Sequence, residues 1–275
     1  MSDRLADLLD WFSERGSVLV AFSGGVDSTL LAKAARLALG EKALAVTAWS
    51  ASLPAEELES TKELASQIGI EHLVIRTDEL ENPDYVRNLP SRCYYCKREL
   101  FSKLLPLAAG RGIEAIVDGT NADDLKGHRP GARAEEEAGV RRPYVELGMG
   151  KSEIRALSRS LHLSTAEKPS MACLASRFAY GQEITVEGLT KVGRAERLVR
   201  ALTGVKQVRV RSHGEIARIE VGREERHRLF DADVLDRLDA ELRALGFRYV
   251  SMDLGGYVTG SMNKEVARPG PQELG

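Results

Sequence analysis

Short apolar runs alternate with amphipathic segments along the first part of the chain. Four nearly continuous apolar runs have the character of strands that are buried on both faces of a parallel sheet. They lie at residues 17–22, 43–47, 72–75 and 115–118. Apolar residues at helical spacing predict helices that begin after Ser2 and at 27–39, 54–68 and about 97–108. Because parallel neighbours need crossover helices, the alternation predicts an α/β fold with a doubly wound parallel sheet.

The pattern changes past about residue 165. A long helix is expected at 186–202, and two strands at 207–211 and 215–221 are joined around His213 and Gly214. Another helix and a short strand at 247–251 follow. We therefore predict a first domain over residues 1–165 and a smaller α+β domain over residues 166–275.

Composition narrows the class of protein. The 275 residues include 39 Lys and Arg against 41 Asp and Glu, so the chain lacks the basic excess of a dedicated nucleic-acid binder. No apolar run approaches the roughly 20 residues that span a bilayer, and the N-terminus lacks the pattern of a signal peptide. We expect a cytoplasmic protein that binds neither nucleic acid nor membrane.

A glycine turn follows the first predicted strand. Its residues are Ser23, Gly24, Gly25, Val26, Asp27 and Ser28. Two glycines let the backbone turn so that successive N–H groups point at an anion, and the N-terminus of the next helix adds its dipole. Asp27 is unexpected in an anion site unless it stabilises the helix start, orients the loop or helps to hold Mg²⁺. A glycine turn without a ligand is the alternative.

Three cysteines suggest a second site. Cys93 and Cys96 form a CxxC pair, and Cys173 follows 77 residues after Cys96. A structural zinc site needs a fourth ligand, and none of the five histidines lies in a companion motif. Three thiolates could hold a 4Fe-4S cluster that leaves one iron open. The alternative is that Cys93 and Cys96 are small core residues and Cys173 is a lone buried thiol.

The hexapeptide SGGVDS resembles the signature of the PP-loop ATP pyrophosphatase superfamily. Several further motifs resemble, as a set and in this order, one family within that superfamily. The family is LarE, and the resemblance covers nearly the whole chain. The motifs that carry the family resemblance are Arg92–Lys97, Asp118–Asp124, Arg129–Gly131, Lys168–Ser170, Cys173–Arg177 and Gly260–Asn263.

The resemblance implies an enzyme that transfers sulfur at the expense of ATP. LarE proteins adenylylate the carboxylates of pyridinium-3,5-biscarboxylic acid mononucleotide and convert them to thiocarboxylates, for the nickel-pincer nucleotide of lactate racemase. It also implies Asp124 at the nucleotide site, Mg²⁺ with the ATP, a homo-oligomer such as a hexamer, and handover to the nickel-inserting enzyme. Family members with one cysteine sacrifice it, whereas members with three are thought to use a 4Fe-4S cluster. We therefore expect Cys93, Cys96 and Cys173 to bind a cluster.

Residues near Cys173 and in the second domain complete the expected site. Ser176 and Arg177 are close enough in sequence to Cys173 to line the reacting centre, unless Arg177 is an ordinary solvated side chain. In the strands, Arg209 and Arg211 share one face, which an ordinary solvated strand would also show. Together with carboxylates, these arginines could bind the substrate phosphate directly and through a metal ion. The candidate carboxylates are Glu196 and Glu220.

Two other functions compete. Some PP-loop enzymes that thiolate tRNA also carry a CxxC pair and a remote cysteine, but they typically have lysine where this chain has Val26. A nucleotide-binding sensor without turnover would share the fold, since a fold alone does not decide function. A glutamine-dependent amidotransferase is disfavoured because the chain has no separate glutaminase domain.

Overall fold

The computed structural model describes residues 3–126, 130–169 and 172–258. Some residues singled out in the sequence lie outside these ranges, namely Ser2, Arg129, Ser170 and Gly260–Asn263. The strands are β1 (Val18–Ala21), β2 (Ala43–Trp49), β3 (Glu71–Arg76), β4 (Ala115–Val117), β5 (Val208–His213), β6 (Ile216–Val221) and β7 (Tyr249–Met252). The helices are α1 (Asp3–Ser13), α2 (Val26–Leu39), α3 (Ala55–Ile68), α4 (Pro83–Val86), α5 (Arg92–Gly110), α6 (Pro130–Glu137), α7 (Pro143–Glu146), α8 (Lys151–Ser160), α9 (Val186–Thr203) and α10 (Ala232–Ala244).

The chain divides into two compact units. The first comprises Met1–Asn82 and Ser91–Met171, and the second comprises Pro83–Pro90 and Ala172–Gly275. The short segment 83–90 therefore belongs to the second unit, although it lies within the predicted first domain. Its backbone is held there because the carbonyl of Val86 accepts from Ile184 N (3.0 Å) and that of Asn88 accepts from Gly181 N (3.1 Å).

The first unit contains a four-stranded sheet in the order β3-β2-β1-β4, with all strands parallel. Val18 and Val20 of β1 pack with α1, α2, α3 and α8 on one face, whereas Leu19 packs with α5 on the other. Both faces are thus covered by helices, which explains why the strands are apolar on successive residues. The prediction of a doubly wound α/β fold is confirmed. Strand order reverses between β1 and β4, and ligands bind at such a point in open α/β sheets.

The second unit contains a smaller mixed sheet in the order β5-β6-β7. β5 and β6 form an antiparallel hairpin whose turn includes Gly214 at a φ of 65°, and β7 pairs parallel with β6. A mixed sheet with α9 and α10 confirms the predicted α+β character of this part. Within the described ranges, no helix is both long enough and apolar enough to cross a membrane.

One helix boundary matters for the site. The sequence predicts a helix from about Lys97, but α5 begins at Arg92, so Cys93 and Cys96 lie in its first turns. The run from Arg92 to Glu99 is polar and lacks the apolar spacing that would have extended the prediction. The short helices α4, α6 and α7 and the amphipathic helix α8 were not predicted from the sequence.

Candidate functional site

The glycine turn joins β1 to α2 at the reversal point of the first sheet. Gly24 has a φ of +68°, and a Cβ built there would lie 2.9 Å from Cγ2 of Thr61. Gly25 has an ordinary φ of −79° and caps α2 without a side-chain hydrogen bond. Of the two glycines, Gly24 is therefore the one whose conformation and close approach require the absence of a side chain.

Hydroxyl groups brace the turn. Ser28 Oγ accepts from Ser23 N (3.2 Å) and lies 3.1 Å from Ser23 Oγ. Ser28 is buried in the first turn of α2, whereas Ser23 is exposed. Val26 is buried and anchors the start of α2 in the core. The turn thus presents Ser23 to solvent at a helix N-terminus, which is a favourable place for an anion.

Asp27 lies in the first turn of α2, where a carboxylate interacts favourably with the helix dipole. Its carboxylate pairs with Lys151 and accepts from Asn121 Nδ2 at 3.3 Å. Tyr144 donates to the Asp27 carbonyl at 2.9 Å, and burial followed by the charge of Asp27 raises the Tyr144 pKa. Asp27 therefore bonds to residues that follow β4 in the chain.

The segment after β4 approaches the turn closely. A Cβ built on Gly119 would lie 3.1 Å from Ser28 N and 3.2 Å from Cβ of Asp27. Asp124 lies in the short 3₁₀ turn Ala122–Lys126, where its Oδ2 accepts from Asn121 N at 3.1 Å. Asn121 in turn contacts Asp27. Asp124 thus supports the residue that contacts the loop.

A cluster of three charges links α5 to the end of β4. Lys97 Nζ lies 2.5 Å from Oδ2 of Asp118 and 3.1 Å from Oε1 of Glu135. Burial opposes the charged form of Asp118, but Lys97 and the Thr120 hydrogen bonds outweigh it and lower its pKa. Burial dominates for Glu135 and raises its pKa. The cluster fixes the helix that carries Cys93 and Cys96 to the strand beside the glycine turn.

The cysteines are accessible thiols. Cys93 and Cys173 are exposed, Cys96 is half-buried, and none of the three forms a disulfide. Cys93 and Cys96 are three residues apart on α5, so they lie on the same side of the helix. The interpretation of the cysteines as buried residues is therefore wrong for Cys93 and Cys173. In the described part of the chain, no three or more His, Cys, Asp or Glu side chains are grouped to hold a metal ion.

In the second unit, Arg177 is fully buried next to Cys173. Its Nε and one Nη donate to the two carboxylate oxygens of Glu196 at 2.7 and 3.0 Å. The other Nη donates to the carbonyls of Ala172 (2.9 Å) and Cys173 (3.1 Å) and to Ser176 Oγ (2.9 Å). The solvated alternative is thus excluded. The bidentate partner of Arg177 is the internal carboxylate of Glu196, and the other end of Arg177 holds the Cys173 carbonyl.

Arg209 and Arg211 of β5 are also buried, at 2% and 4% exposure, so the solvated-face alternative is excluded for them too. Arg211 donates to Oε2 of Glu220 at 2.9 and 3.1 Å and to the Ser176 carbonyl at 2.7 Å. Arg218 donates to the other Glu220 oxygen at 2.9 Å. Burial and the nearby Arg177 charge lower the Arg209 pKa. The structure thus forms two buried pairs, Arg177–Glu196 and Arg211–Glu220, and places Arg209 near the charges of Arg177 and Glu196. We call these five residues the arginine–glutamate network.

Comparison with known proteins places this geometry in a family. Residues 6–83 match a family described as NAD synthase. The chain is 37% identical over 270 residues to pyridinium-3,5-bisthiocarboxylic acid mononucleotide synthase of Lactiplantibacillus plantarum, covering 98% of this chain and 96% of that protein. The chain belongs to the LarE family. It is therefore an enzyme of the PP-loop group, an ATP-dependent sulfur transferase.

Two further relatives are uncharacterized proteins. One, from Synechocystis, is 45% identical over 268 residues, which is 98% of this chain and all of the relative. The other, from Methanocaldococcus jannaschii, is 31% identical over 210 residues, covering 74% of this chain and 77% of the relative. The LarE-like match thus extends over both units, whereas the NAD synthase match is confined to residues 6–83, which include the glycine turn.

Several residues around the glycine turn of this LarE-family chain were not recognised from sequence as site residues. They are Glu57, Lys97, Asn121, Glu135, Tyr144, Lys151 and Lys168. Their partners are distant in the chain; Lys168 and Glu57, for example, are 111 residues apart. The spacing of apolar and polar residues along the chain does not indicate contacts between residues so far apart. For Lys97, Asn121 and Lys168, membership of the quoted motifs was the available signal.

Proposed function

We propose that this enzyme adenylylates the carboxylates of pyridinium-3,5-biscarboxylic acid mononucleotide and converts them to thiocarboxylates for the nickel-pincer nucleotide of lactate racemase. The observation that carries the proposal is the glycine turn at the reversal point of a parallel sheet, in a chain that matches a named synthase along nearly its full length. The turn supports use of ATP, and the relative's name supports the substrate.

The chemistry begins with activation, because a carboxylate is a poor electrophile. One carboxylate oxygen attacks the α-phosphorus of ATP, the bond to the bridging oxygen breaks, and pyrophosphate leaves with the electron pair. The N-terminus of α2 and the Ser23 and Ser28 hydroxyls are suited to hold the phosphates. We assign Mg²⁺ to the same site with Asp27 as a ligand, because a carboxylate oxygen is the donor that this ion prefers.

Sulfur then replaces oxygen. A sulfur nucleophile attacks the acyl-adenylate carbon, and AMP leaves with the former carboxylate oxygen. A thiolate or a hydrosulfide ion is far more nucleophilic than a hydroxyl near neutral pH, and attack by hydrosulfide would give the thiocarboxylate directly. The exposed Cys173, whose carbonyl oxygen accepts from Arg177, would serve as one of the cysteine ligands of the group that supplies this sulfur. The Ser176 hydroxyl also donates to the Cys173 carbonyl, at 2.9 Å.

We keep Cys93, Cys96 and Cys173 as the ligands of a 4Fe-4S cluster within this proposal. Support comes from the residue type, from the two exposed or half-exposed thiols on one side of α5, and from the absence of disulfides at all three cysteines. When bound, such a cluster would supply an iron with an open position for hydrosulfide.

The arginine–glutamate network is assigned to the substrate phosphate. Three buried arginines (Arg177, Arg209 and Arg211) face two buried glutamates (Glu196 and Glu220), so the buried charges leave a positive excess. Arginine is well suited to phosphate recognition. Glu196 and Glu220 stay proposed metal ligands, although both accept from arginines in this structure.

The test is an anaerobic incubation with ATP, Mg²⁺ and the biscarboxylated mononucleotide, followed by mass spectrometry of nucleotide and protein. We expect pyrophosphate release that depends on the mononucleotide, and a product in which sulfur has replaced oxygen. Loss of sulfur from Cys173 would show that this cysteine is sacrificed, which would overturn the cluster assignment. A protein that binds ATP but releases no pyrophosphate would be a sensor, and the proposal would fail.

A further inference from the structure

Two lysines bond to the glycine turn in the described part of the chain. Lys151 pairs with Asp27, a residue of the turn itself. Lys168 Nζ lies 3.2 Å from the carbonyl oxygen of Gly24 and 2.7 Å from Oε2 of Glu57. Lys168 thus places an ammonium group directly against the turn, while its carboxylate partner comes from outside the turn, on α3.

The backbone of Lys168 is held separately from its side chain. Arg155 of α8 donates to the carbonyl of Lys168 at 3.1 Å and also to that of Ala166. Lys168 N donates to the Thr165 carbonyl at 2.9 Å. With its backbone anchored in this way, the lysine side chain can change partners without moving the chain.

The start of α3 partly compensates the charge of Glu57 when Lys168 changes partner. Glu57 lies in the first turn of α3, next to Glu56, where the helix dipole stabilises a negative charge. Glu57 is largely buried, with 16% of its side chain exposed, so it holds Lys168 in a defined position when the turn is empty. The pair therefore keeps a positively charged side chain beside the turn, where a phosphate could bind it.

We propose that Lys168 binds the phosphates of ATP during adenylylation, and that Glu57 and the Gly24 carbonyl hold it when the turn is empty. The inference rests on the proposed use of ATP. Lysine binds phosphate as a point charge, and a cation beside the turn stabilises the negative charge that develops on the leaving pyrophosphate. Lys168 transfers no proton in this role; it stays an ammonium group and exchanges one anionic partner for another.

The test compares the binding of ATP, AMP and adenosine to the full-length protein by calorimetry, with pyrophosphate release as a second readout. For Lys168→Met we expect ATP affinity to fall about tenfold or more, a smaller loss for AMP and none for adenosine. Lys168→Arg should restore a large part of the ATP affinity. Glu57→Gln should leave ATP affinity unchanged or raise it, because the competing carboxylate is neutral. Lys62→Met is the matched control, since Lys62 pairs with Glu59 on the exposed side of α3.

Two results separate failure of this inference from failure of the proposed function. If Lys168→Met and Glu57→Gln weaken adenosine and ATP alike and lower thermal stability together, the pair is only structural and the inference is overturned. The double variant Lys168→Met with Glu57→Gln checks this, because it removes both charges and leaves no unpaired carboxylate. If the wild-type protein itself binds no ATP, the proposed function fails as well.

Discussion

At the scale of single residues, the second unit is shaped by charges that do not reach solvent. Arg177 has no exposed side-chain surface and Glu196 has 1%, and the arginine uses both of its ends. One end satisfies the carboxylate, and the other holds the backbone of Cys173. An arginine close in sequence to a cysteine suggests a ligand-binding residue, but the anion that Arg177 contacts is the carboxylate of Glu196 within the protein.

This arrangement gives a prediction for stability. Arg177→Met should lower the free energy of unfolding of the second unit by about 3–5 kcal/mol, because the buried Glu196 carboxylate loses its bidentate cation and keeps Arg200 only at 3.9 Å. Arg159→Met is the control, because Arg159 pairs with Glu167 while both side chains are more than half exposed. It should cost less than about 1 kcal/mol. Urea unfolding followed by circular dichroism measures both; equal losses would mean that burial of the Arg177 pair has no energetic weight.

At the scale of elements, the strand–turn–helix unit from β1 to α2 depends on one glycine more than on the other. Gly24 combines a left-handed φ with a close approach to Thr61 of α3, whereas Gly25 has ordinary extended geometry. The sequence shows two equivalent glycines, and the difference between them is visible only when the neighbouring helix is in place.

Gly24→Ala should therefore distort the turn and weaken ATP binding by about tenfold or more. Alanine is strained at this φ, and its Cβ would push the loop away from Thr61. Gly69→Ala is the matched control. Gly69 also has a positive φ, 76°, but has no atom within 4 Å of its added Cβ. It should lose about 1 kcal/mol of stability and keep its ATP affinity. Calorimetric titration of both variants with ATP decides this, and unchanged affinity in Gly24→Ala would contradict the assignment of the turn as the phosphate site.

The elements also show how far sequence reasoning reached. The four strands of the first sheet were predicted within two residues at each end, because strands covered on both faces leave an unmistakable apolar run. The predicted start of α5 was wrong because the residues Cys93, Tyr94, Tyr95 and Cys96 show no apolar positions at helical spacing. Helix α8 was missed, although Ile154 and Leu157 are buried at helical spacing.

At the scale of the whole molecule, the sequence predicted the fold class, the position of the glycine turn and the family, since each depends on local pattern. What it did not show is the set of side chains that the fold brings to the turn. Lys151 and Asp27 are 124 residues apart, and Lys97 and Asp118 are 21 apart. Such pairs depend on strand order, and strand order follows from packing rather than from spacing along the chain.

The proposed cluster gives a prediction that involves the whole chain. After anaerobic reconstitution with iron and sulfide, the wild-type protein should take up about four irons per chain with the absorption of an iron–sulfur centre. Cys93→Ala should take up markedly less, because a ligand is removed. Ser102→Ala, an exposed position farther along α5, is the control and should match the wild type. No uptake by the wild type, or full uptake by Cys93→Ala, would defeat the cluster assignment.

The excursion of residues 83–90 into the second unit has a consequence for how this protein can be divided. The polypeptide passes between the two units at three places along the chain rather than at one. A fragment that starts at Ala172 would lack the stretch whose carbonyls at Val86 and Asn88 bond to Ile184 and Gly181. Neither unit therefore corresponds to one uninterrupted stretch of the gene. During synthesis, residues 83–90 are made before the first unit is complete, and they gain the rest of their own unit only after Ala172.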